Sequence, residues 1–451
     1  MSASFNPFDP EFTRNPYPTY ARMREEAAVA RVRIGLVRML RMLAAIIATQ
    51  RKRGGGPGLR SGLGMLWRRI RTRSGGPPRN KRPRMGRLYT VSRFDEVSYV
   101  LRHPELFSSE VMGGSQPEVM NEAGDIAPTS GALIAHDPPE HTQQRNIVNR
   151  GFTPRKMAAL EPRIRKIAEE LFSDFEGRNG CDLMEQFANP LPVSVIADLL
   201  GLDPARRDDF KRWSTALIVG STRPGEGSGF GSNWELFREF RSYMTEVIRQ
   251  RRETPGDDLI SSLIHTGEGE GILEPEQVIS FATLMLAAGS ETTTNLIGNA
   301  MLALFHDKAL LARVQDDPGL IPQVVEETLR YDSPIQLTMR LAMQDTQVAG
   351  VEIPKGAIVA AMLASANRDD SHFTRPERFD IDRPTPNHLA FGFGNHFCIG
   401  ASLARLEGRI GLEMILTRLP DLRLGVAPED IEPHGSFLVR GPSSLPVHFG
   451  H

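Results

Sequence analysis

Cysteine is scarce in this chain, whose 451 residues contain only Cys181 and Cys398. Two cysteines so far apart do not form the disulfide framework of a small secreted protein, and we predict a reducing, cytoplasmic location. Residues 1–18 contain no apolar run after a basic flank, so no secretory signal is predicted. The apolar stretch over 34–48 is interrupted by arginine and is too short to cross a bilayer, so no transmembrane segment is predicted.

Acidic residues are absent from the stretch between Arg31 and Arg87, which carries seventeen lysine and arginine residues. The rest of the chain is acidic, with 37 basic against 55 acidic residues. We predict a single domain over 1–451 with an atypical Arg/Gly/Pro-rich insertion over 29–87. The insertion is either a flexible surface segment, even a translated artefact of the gene, or a basic amphipathic arm that contacts anionic membrane or nucleic acid. No nucleic-acid partner is predicted for the protein as a whole.

The composition, with 40% hydrophobic and 24% charged residues, is that of a globular protein with a large core. Apolar residues at helical spacing predict helices over 156–175, 193–200, 205–219, 233–252, 275–306, 318–331 and 399–416. Short runs typical of β-strands cover 88–91, 339–348, 357–362 and 438–439. These patterns predict a mainly α fold with small β-sheets on one side (α+β).

The most informative segment is 391–400, which reads Phe-Gly-Phe-Gly-Asn-His-Phe-Cys-Ile-Gly and precedes a predicted helix. A cysteine thiolate ligates iron strongly and favours cleavage of the O–O bond of dioxygen. A position at a helix N-terminus lowers the pKa of a cysteine and so keeps it deprotonated. Glycines at 392, 394 and 400 let the backbone approach the sulfur and a macrocycle closely. The segment therefore predicts Cys398 as an iron ligand.

This segment resembles the haem-binding signature Phe-Gly-x-Gly-x-His-x-Cys-x-Gly of the cytochromes P450, in the variant usual in soluble bacterial members. The resemblance implies a cytochrome P450 fold, with haem b between a long distal helix and the cysteine loop. It also implies that Cys398 is the proximal ligand, that His396 binds a haem propionate, and that three neighbours contact the cofactor: Phe391, Gly392 and Gly400. The resemblance covers 6–27 and 88–450, and the basic insertion is its clear departure.

A second motif, Glu327-Thr-Leu-Arg330, resembles the Glu-x-x-Arg helix of the same family. Glutamate and arginine three residues apart share a helix face and can pair. The resemblance implies that Arg378, in the later Pro-Glu-Arg-Phe segment, completes a structural network that holds the cysteine loop.

A third motif lies inside the predicted helix 275–306, where residues 287–293 read Ala-Ala-Gly-Ser-Glu-Thr-Thr. Glycine and consecutive threonines are poor helix formers, which predicts a local bulge or kink where a hydroxyl replaces a backbone bond. The segment resembles the distal oxygen-binding helix of the family. By that resemblance Ala288 and Gly289 contact the cofactor, and Glu291 and Thr292 form an acid–alcohol pair that delivers protons.

Haem carries two carboxylates, which are costly to bury without cationic donors. His141 and Arg145 are four residues apart, so they share a helix face and can both donate. They lie in a segment that resembles the one leading, in the family, into a helix that passes over one edge of the haem. Arg340 matches a further propionate-binding arginine, and His396 completes the set.

The resemblance implies a monooxygenase that inserts one atom of dioxygen into an apolar small molecule, by hydroxylation or epoxidation, in secondary metabolism. Terpenoids, steroids, fatty acids and polyketides all remain open as substrates. No reductase domain is left in the sequence, so electrons are expected from a separate ferredoxin or flavodoxin with its NAD(P)H-dependent reductase. Family analogy places Ile335, Leu337 and Leu438 at the substrate pocket, under segments 108–133 and 217–230. Glycine and serine enrichment over 220–231 predicts a mobile lid.

Two alternatives remain at this point. One is a peroxide-driven haem-thiolate peroxygenase, against which the Glu291–Thr292 pair argues. The other is a non-catalytic haem-binding protein of the same fold, which would not need that pair.

Overall fold

The computed structural model of the chain describes residues 6, 9–32, 87–112, 133–173, 175, 177–206, 208–210, 212–214, 234–265, 271–384, 387–433 and 436–450. Most of the predicted insertion, the predicted lid over 220–231 and most of the segment 108–133 lie outside these residues.

Helices dominate the described residues, as predicted. In chain order they are α1 (Pro10–Arg14), α2 (Tyr17–Glu26), α3 (Phe94–Arg102), α4 (Glu140–Asn149), α5 (Pro154–Ala159), α6 (Glu161–Ser173), α7 (Pro190–Leu199), α8 (Trp234–Glu253), α9 (Leu259–Ile264), α10 (Pro275–His306), α11 (Lys308–Asp316), α12 (Ile321–Tyr331), α13 (Leu363–Ala366) and α14 (Ala401–Arg418). Shorter helical turns include Leu133–Ala135 and Gly394–His396.

The strands form small sheets beside the helices. They are β1 (Val29–Val32), β2 (Leu88–Val91), β3 (Phe107–Ser108), β4 (Gly180–Asp182), β5 (Thr338–Ala342), β6 (Thr346–Val348), β7 (Val351–Ile353), β8 (Ile358–Ala361), β9 (Arg423–Leu424) and β10 (Pro446–His448). The largest sheet has the order β1-β2-β8-β5-β3, and two others have the orders β4-β10-β9 and β6-β7. This arrangement confirms the mainly α fold with small sheets.

The long helix α10 runs through the largest apolar core and has the predicted bounds, Pro275–His306. Its start is specified locally, because the Glu274 backbone N–H donates to the Gln277 side chain at 2.9 Å in a capping box and proline occupies the first turn. It packs on α14, where a Cβ at Gly408 would lie 3.1 Å from the Leu296 side chain. A small residue thus lets the long helix α10 pack closely against α14, the helix that follows Cys398 in the sequence.

The N-terminal sheet shows where the basic insertion begins and ends. Strand β1 pairs antiparallel with β2, and Val32 is opposite Leu88. The first four residues of the predicted insertion, Val29–Val32, therefore belong to the sheet, and the lower bound of 29 is wrong. Arg31 is one of the strand residues, so the basic composition that suggested the boundary begins inside regular structure.

Other predicted boundaries also change. The strand predicted over 339–348 is two strands, β5 and β6, separated by a turn, and 438–439 contributes only an isolated bridge between Ile335 and Val439. Of the helix predicted over 205–219, the structure describes residues 205–206, 208–210 and 212–214, and the rest lies outside the described residues. Within the described part of the chain, no helix combines the length and apolarity that crossing a membrane requires.

Helix α14 carries a buried acid that the sequence did not single out. The Glu407 side chain is buried, its Oε2 atom has no hydrogen-bond partner among the described residues, and desolvation raises the pKa of its carboxyl from 4.5 to about 8. Between these pH values the folded protein keeps a proton that the unfolded chain releases, so the stability contributed by this group falls as pH rises.

We therefore expect Glu407→Gln, which cannot ionise, to gain stability relative to the parent protein by roughly 2–4 kcal/mol between pH 5 and pH 8. Urea unfolding of both proteins at the two pH values measures this difference. A gap between the two proteins that stays the same at both pH values would contradict the assignment.

Candidate active site

The cysteine loop is held by its own backbone and by helix α3. The Cys398 N–H donates to the Phe391 carbonyl at 2.9 Å, which closes the loop. Gly392 and Gly394 have φ of 71° and 72°, values that favour glycine. A Cβ at Gly394 would lie 2.7 Å from the Leu101 carbonyl oxygen of α3, so the loop could not approach this helix with a larger residue. Gly394 thus serves the approach of the loop to α3, and the predicted approach of the loop glycines to the sulfur and a macrocycle stays a prediction.

The Cys398 thiol is accessible to solvent although protein surrounds it on most sides. Desolvation raises the pKa of this thiol, and the Gly400 backbone N–H and the guanidinium groups of Arg145 and Arg405 oppose that effect. The net pKa is raised, so the expectation of a lowered pKa is wrong for the protein alone. Helix α14 begins at Ala401, three residues after Cys398. A cation bound at the sulfur would favour the thiolate.

Two histidines predicted to bind a propionate lie together beside the loop. The rings of His141, on α4, and His396 are 4.1 Å apart between centroids. The Nε2 atom of each is buried and has no hydrogen-bond partner among the residues described. Desolvation lowers the pKa of His141 to about 4 and that of His396 to about 3, with neighbouring arginines adding to both shifts.

Two predicted arginines extend the same cluster. Arg340, on β5, is buried, and desolvation lowers its pKa to about 10. Its guanidinium donates to the Thr338 hydroxyl at 3.1 Å and the Met339 carbonyl at 2.8 Å, which leaves further N–H groups for a ligand. Arg145, on α4, donates to the Phe397 carbonyl at 2.7 Å, beside Cys398.

These four side chains fit an anionic cofactor. Buried polar groups are normally hydrogen-bonded, so a cluster of orphaned imidazole nitrogens beside desolvated arginines calls for an anion with several acceptor oxygens. A macrocycle with two carboxylates, bound over a cysteine sulfur, satisfies both the donors and the thiolate. The residues present therefore suit a haem-type group, and they are the four residues that the sequence predicts to bind its carboxylates.

Helix α10 is α-helical throughout 275–306, so the bulge predicted at 287–293 does not interrupt it. Thr292 Oγ1 donates to the Ala288 carbonyl at 2.6 Å, one turn earlier in the uninterrupted helix. Ala288 is exposed, and Glu291 and Thr292 are half-buried. A Cβ at Gly289 would lie 2.6 Å from Ile196 of α7, so this glycine allows the two helices to pack closely, and its predicted contact with the cofactor stays a prediction.

The Glu-x-x-Arg pair of α12 is fully buried and bidentate. Arg330 donates to the two Glu327 carboxylate oxygens at 2.8 and 2.7 Å. The third arginine is Arg383, whose Nε lies 3.4 Å from Glu327, and the prediction of Arg378 is wrong. Arg378 contributes only its carbonyl, which accepts from Arg330 at 3.0 Å, while its side chain is exposed. The path of the loop, rather than its sequence motif, decides which arginine reaches the carboxylate.

The three residues predicted to line the substrate pocket differ in burial, and their role stays a prediction. Ile335 and Leu438 are half-buried. Leu337 is 4% exposed and packs in a core cluster with Tyr17 and Tyr20 of α2, so it belongs to the protein core. The N-terminal helices, which the sequence did not reveal, cover this residue.

The fold and the cysteine-centred site together define a haem-thiolate type of protein, and comparison with known proteins agrees. The family model "Cytochrome P450" matches residues 319–445. Cytochrome P450 107B1 of Saccharopolyspora erythraea is 38% identical over 370 residues, which span 80% of this chain and 89% of that protein. The vitamin D(3) 25-hydroxylase of Pseudonocardia autotrophica is 38% identical over 367 residues, spanning 81% and 89%.

Among solved structures, a cytochrome P450 from Chondromyces apiculatus matches with a TM-score of 0.80 and 36% identity, covering 100% of this chain and 99% of that one. The chain belongs to the cytochrome P450 family. It is a cytochrome P450 monooxygenase, and the family's cofactor is a haem, which acts with a substrate, oxygen and redox partners.

Sequence reasoning missed three residues that the structure brings to notice. Arg383 replaces Arg378 in the buried network. Glu407 is a buried acid on α14. His136 lies beside the imidazole pair and had no signal of its own, because a lone histidine before Asp-Pro-Pro is not distinctive.

Proposed function

We propose that this protein binds haem b through Cys398 and inserts one oxygen atom into an apolar small molecule. The observation that carries the proposal is the convergence of Cys398 with four cationic or imidazole donors: His141, Arg145, Arg340 and His396. Haem ligated by thiolate supplies the activation of dioxygen, with electron density that the sulfur donates. The chain supplies binding, orientation and protons.

The first experiment is the absorption difference spectrum of the dithionite-reduced protein with carbon monoxide. Thiolate ligation gives a strongly red-shifted Soret band. A band at the position typical of imidazole-ligated haem would refute Cys398 as the ligand, and the lack of any haem band would refute the proposed function as a whole.

The substrate class is proposed from the apolar residues that the family resemblance places beside the cofactor. Ala288 is exposed on α10, Ile335 and Leu438 are half-buried, and an apolar lining favours an apolar ligand. One relative is named for hydroxylating vitamin D(3), which is such a compound. Spin-state titration with terpenoids, steroids, fatty acids and macrolides tests the class; binding confined to charged or strongly polar compounds would contradict it.

Thr292 is proposed as the residue that holds the proton-delivering hydroxyl, with Glu291 as its acidic neighbour. Thr292 Oγ1 now donates to the Ala288 carbonyl, so a rotation about its side-chain bond presents the same hydroxyl to the distal face. We expect Thr292→Ala to keep oxygen consumption while product formed per oxygen consumed falls by roughly tenfold or more.

Paired measurements of oxygen consumption, hydrogen peroxide release and product test this. Thr292→Ser keeps a hydroxyl at the same place and should restore most of the coupling. Unchanged coupling in Thr292→Ala would refute the assignment.

Electrons are proposed to arrive from a separate ferredoxin or flavodoxin with an NAD(P)H-dependent reductase. The surface beside Cys398 exposes the Phe397 side chain. The Arg145 guanidinium donates to the Phe397 carbonyl, and the Arg102 guanidinium lies over the ring of Phe393 in the same loop, 4.2 Å from its centroid. An aromatic contact flanked by arginines suits an acidic electron carrier. Turnover with ferredoxin and NAD(P)H but little with hydrogen peroxide supports this route, and the opposite result would identify a peroxygenase.

The single-domain organisation is also a proposal. Because Val32 pairs with Leu88, the two ends of the intervening segment meet on neighbouring strands of the sheet. Liposome sedimentation with and without residues 33–86 tests whether the basic segment is instead a membrane arm.

A cytoplasmic location is proposed because thiolate ligation requires Cys398 to remain reduced.

A further inference from the structure

His136 lies at the edge of the donor cluster and no role has been assigned to it. It directly follows the helical turn Leu133–Ala135, and its backbone N–H donates to the Leu133 carbonyl at 3.4 Å. The residue as a whole is half-buried, but its Nε2 atom is buried and has no hydrogen-bond partner in the described part of the chain. It is therefore a polar group whose partner must be something other than these residues.

The main chain of His136 already belongs to the cluster. Its backbone lies near enough to the His396 ring, and its side chain near enough to His141, to influence those imidazoles electrostatically. The next residue, Asp137, is held by two hydrogen bonds. Its carboxylate accepts from the Ser109 N–H at 2.9 Å, and its carbonyl accepts from the His141 N–H at 3.0 Å. The position of His136 is thus fixed by the same segment that starts α4.

Three imidazoles on adjoining segments, those of His136, His141 and His396, share a buried Nε2 atom without a partner among the described residues. One such group can be a local accident, but three on adjoining segments, two of them with ring centroids 4.1 Å apart, indicate a common ligand. A neutral imidazole donates through one nitrogen, and a carboxylate oxygen accepts more than one hydrogen bond. Three donors therefore match a carboxylate better than any neutral acceptor.

We propose that His136 is a further cofactor-binding residue, whose Nε2–H donates to the same haem carboxylate as His396. The inference rests on the proposed function, since it requires haem at this site. Its main chain lies near the His396 ring, and its side chain adds a donor of its own. The rival interpretation is that His136 acts through its main chain alone, in which case its side chain is dispensable.

The test compares His136→Leu, which removes the donor at similar size, with His136→Gln, whose amide nitrogen can replace Nε2. The measurement is the rate of haem transfer from the ferric holoprotein to excess apomyoglobin. We expect His136→Leu to lose haem about tenfold faster than the parent protein, as for loss of one hydrogen bond to a charged group. His136→Gln should stay close to the parent protein. His306→Leu, on the exposed end of α10, is the matched control and should not change the rate.

A second arm uses haem dimethyl ester, in which both carboxylates are esterified. The difference between His136→Leu and the parent protein should largely vanish with the ester, because the charged acceptor is gone. Equal rates with ordinary haem overturn the inference, and so does an equally large difference with the ester, which would indicate packing alone. If His136→Leu does not fold, His136→Asn, whose amide is shorter, gives the same comparison.

The carbon monoxide spectrum separates the two possible failures. A parent protein without the red-shifted band refutes the proposed function. A normal band in the parent protein with no effect of His136→Leu on haem transfer refutes only the role of His136.

Discussion

Replacement of Cys398 by serine should abolish the strongly red-shifted carbon monoxide band and, with it, all monooxygenase turnover. Serine has nearly the same size, so the loop closed by the Cys398 N–H and the Phe391 carbonyl should be kept. What is lost is the soft, charged sulfur, for which a hydroxyl is no substitute as an electron donor. The measurements are the difference spectrum of the reduced protein and product formation with a supported redox system.

Cys181 provides the matched control. It lies on β4, half-buried, and desolvation raises the pKa of its thiol to about 12, so it is not a thiolate near neutral pH. Cys181→Ser should therefore leave the band and the turnover unchanged. A red-shifted band that survives in Cys398→Ser but disappears in Cys181→Ser would reverse the assignment of the ligand.

The elements that sequence predicted best are those with strong local signals. Helix α10 has its predicted bounds because a capping box and a proline start it, and an apolar pattern continues over many turns. The cysteine loop was identified because its glycines, histidine and cysteine all occupy positions that binding of haem through a thiolate explains. In both cases neighbouring residues carry the information.

Features that depend on distant segments were predicted poorly. Strand β1 pairs with β2 across the basic segment, and no local pattern in Val29–Val32 shows that partner. Gly289 faces α7 because of how two helices pack, which the sequence of α10 alone does not determine. The raised pKa of the Cys398 thiol has the same origin: the helix N-terminus is visible in sequence, whereas burial by the surrounding segments is not.

The buried network around Arg330 yields a prediction about the stability of the protein. Arg330 has no exposed surface, and besides Glu327 it donates to the carbonyls of Asn367, Pro376 and Arg378. Arg330→Leu would leave the Glu327 carboxylate buried with only a distant cation and several carbonyls without donors. We expect a loss of about 3–5 kcal/mol in the free energy of unfolding, with little holoprotein recovered. Urea unfolding, together with haem content after purification, measures both.

Two further arginines test which residue is the third member of the network, Arg378 as the sequence motif predicts or Arg383 as the structure shows. Arg383 donates to the Glu327 carboxylate at 3.4 Å and to the Thr374 carbonyl at 2.7 Å, whereas the Arg378 side chain is exposed and only its carbonyl takes part. Arg383→Leu should therefore destabilise the protein clearly, though less than Arg330→Leu, because its contact with the carboxylate is longer. Arg378→Leu keeps the carbonyl and should change stability by no more than about 0.5 kcal/mol. The reverse order of the two effects would restore Arg378 to the network and show that the loop after Pro376 follows a different path.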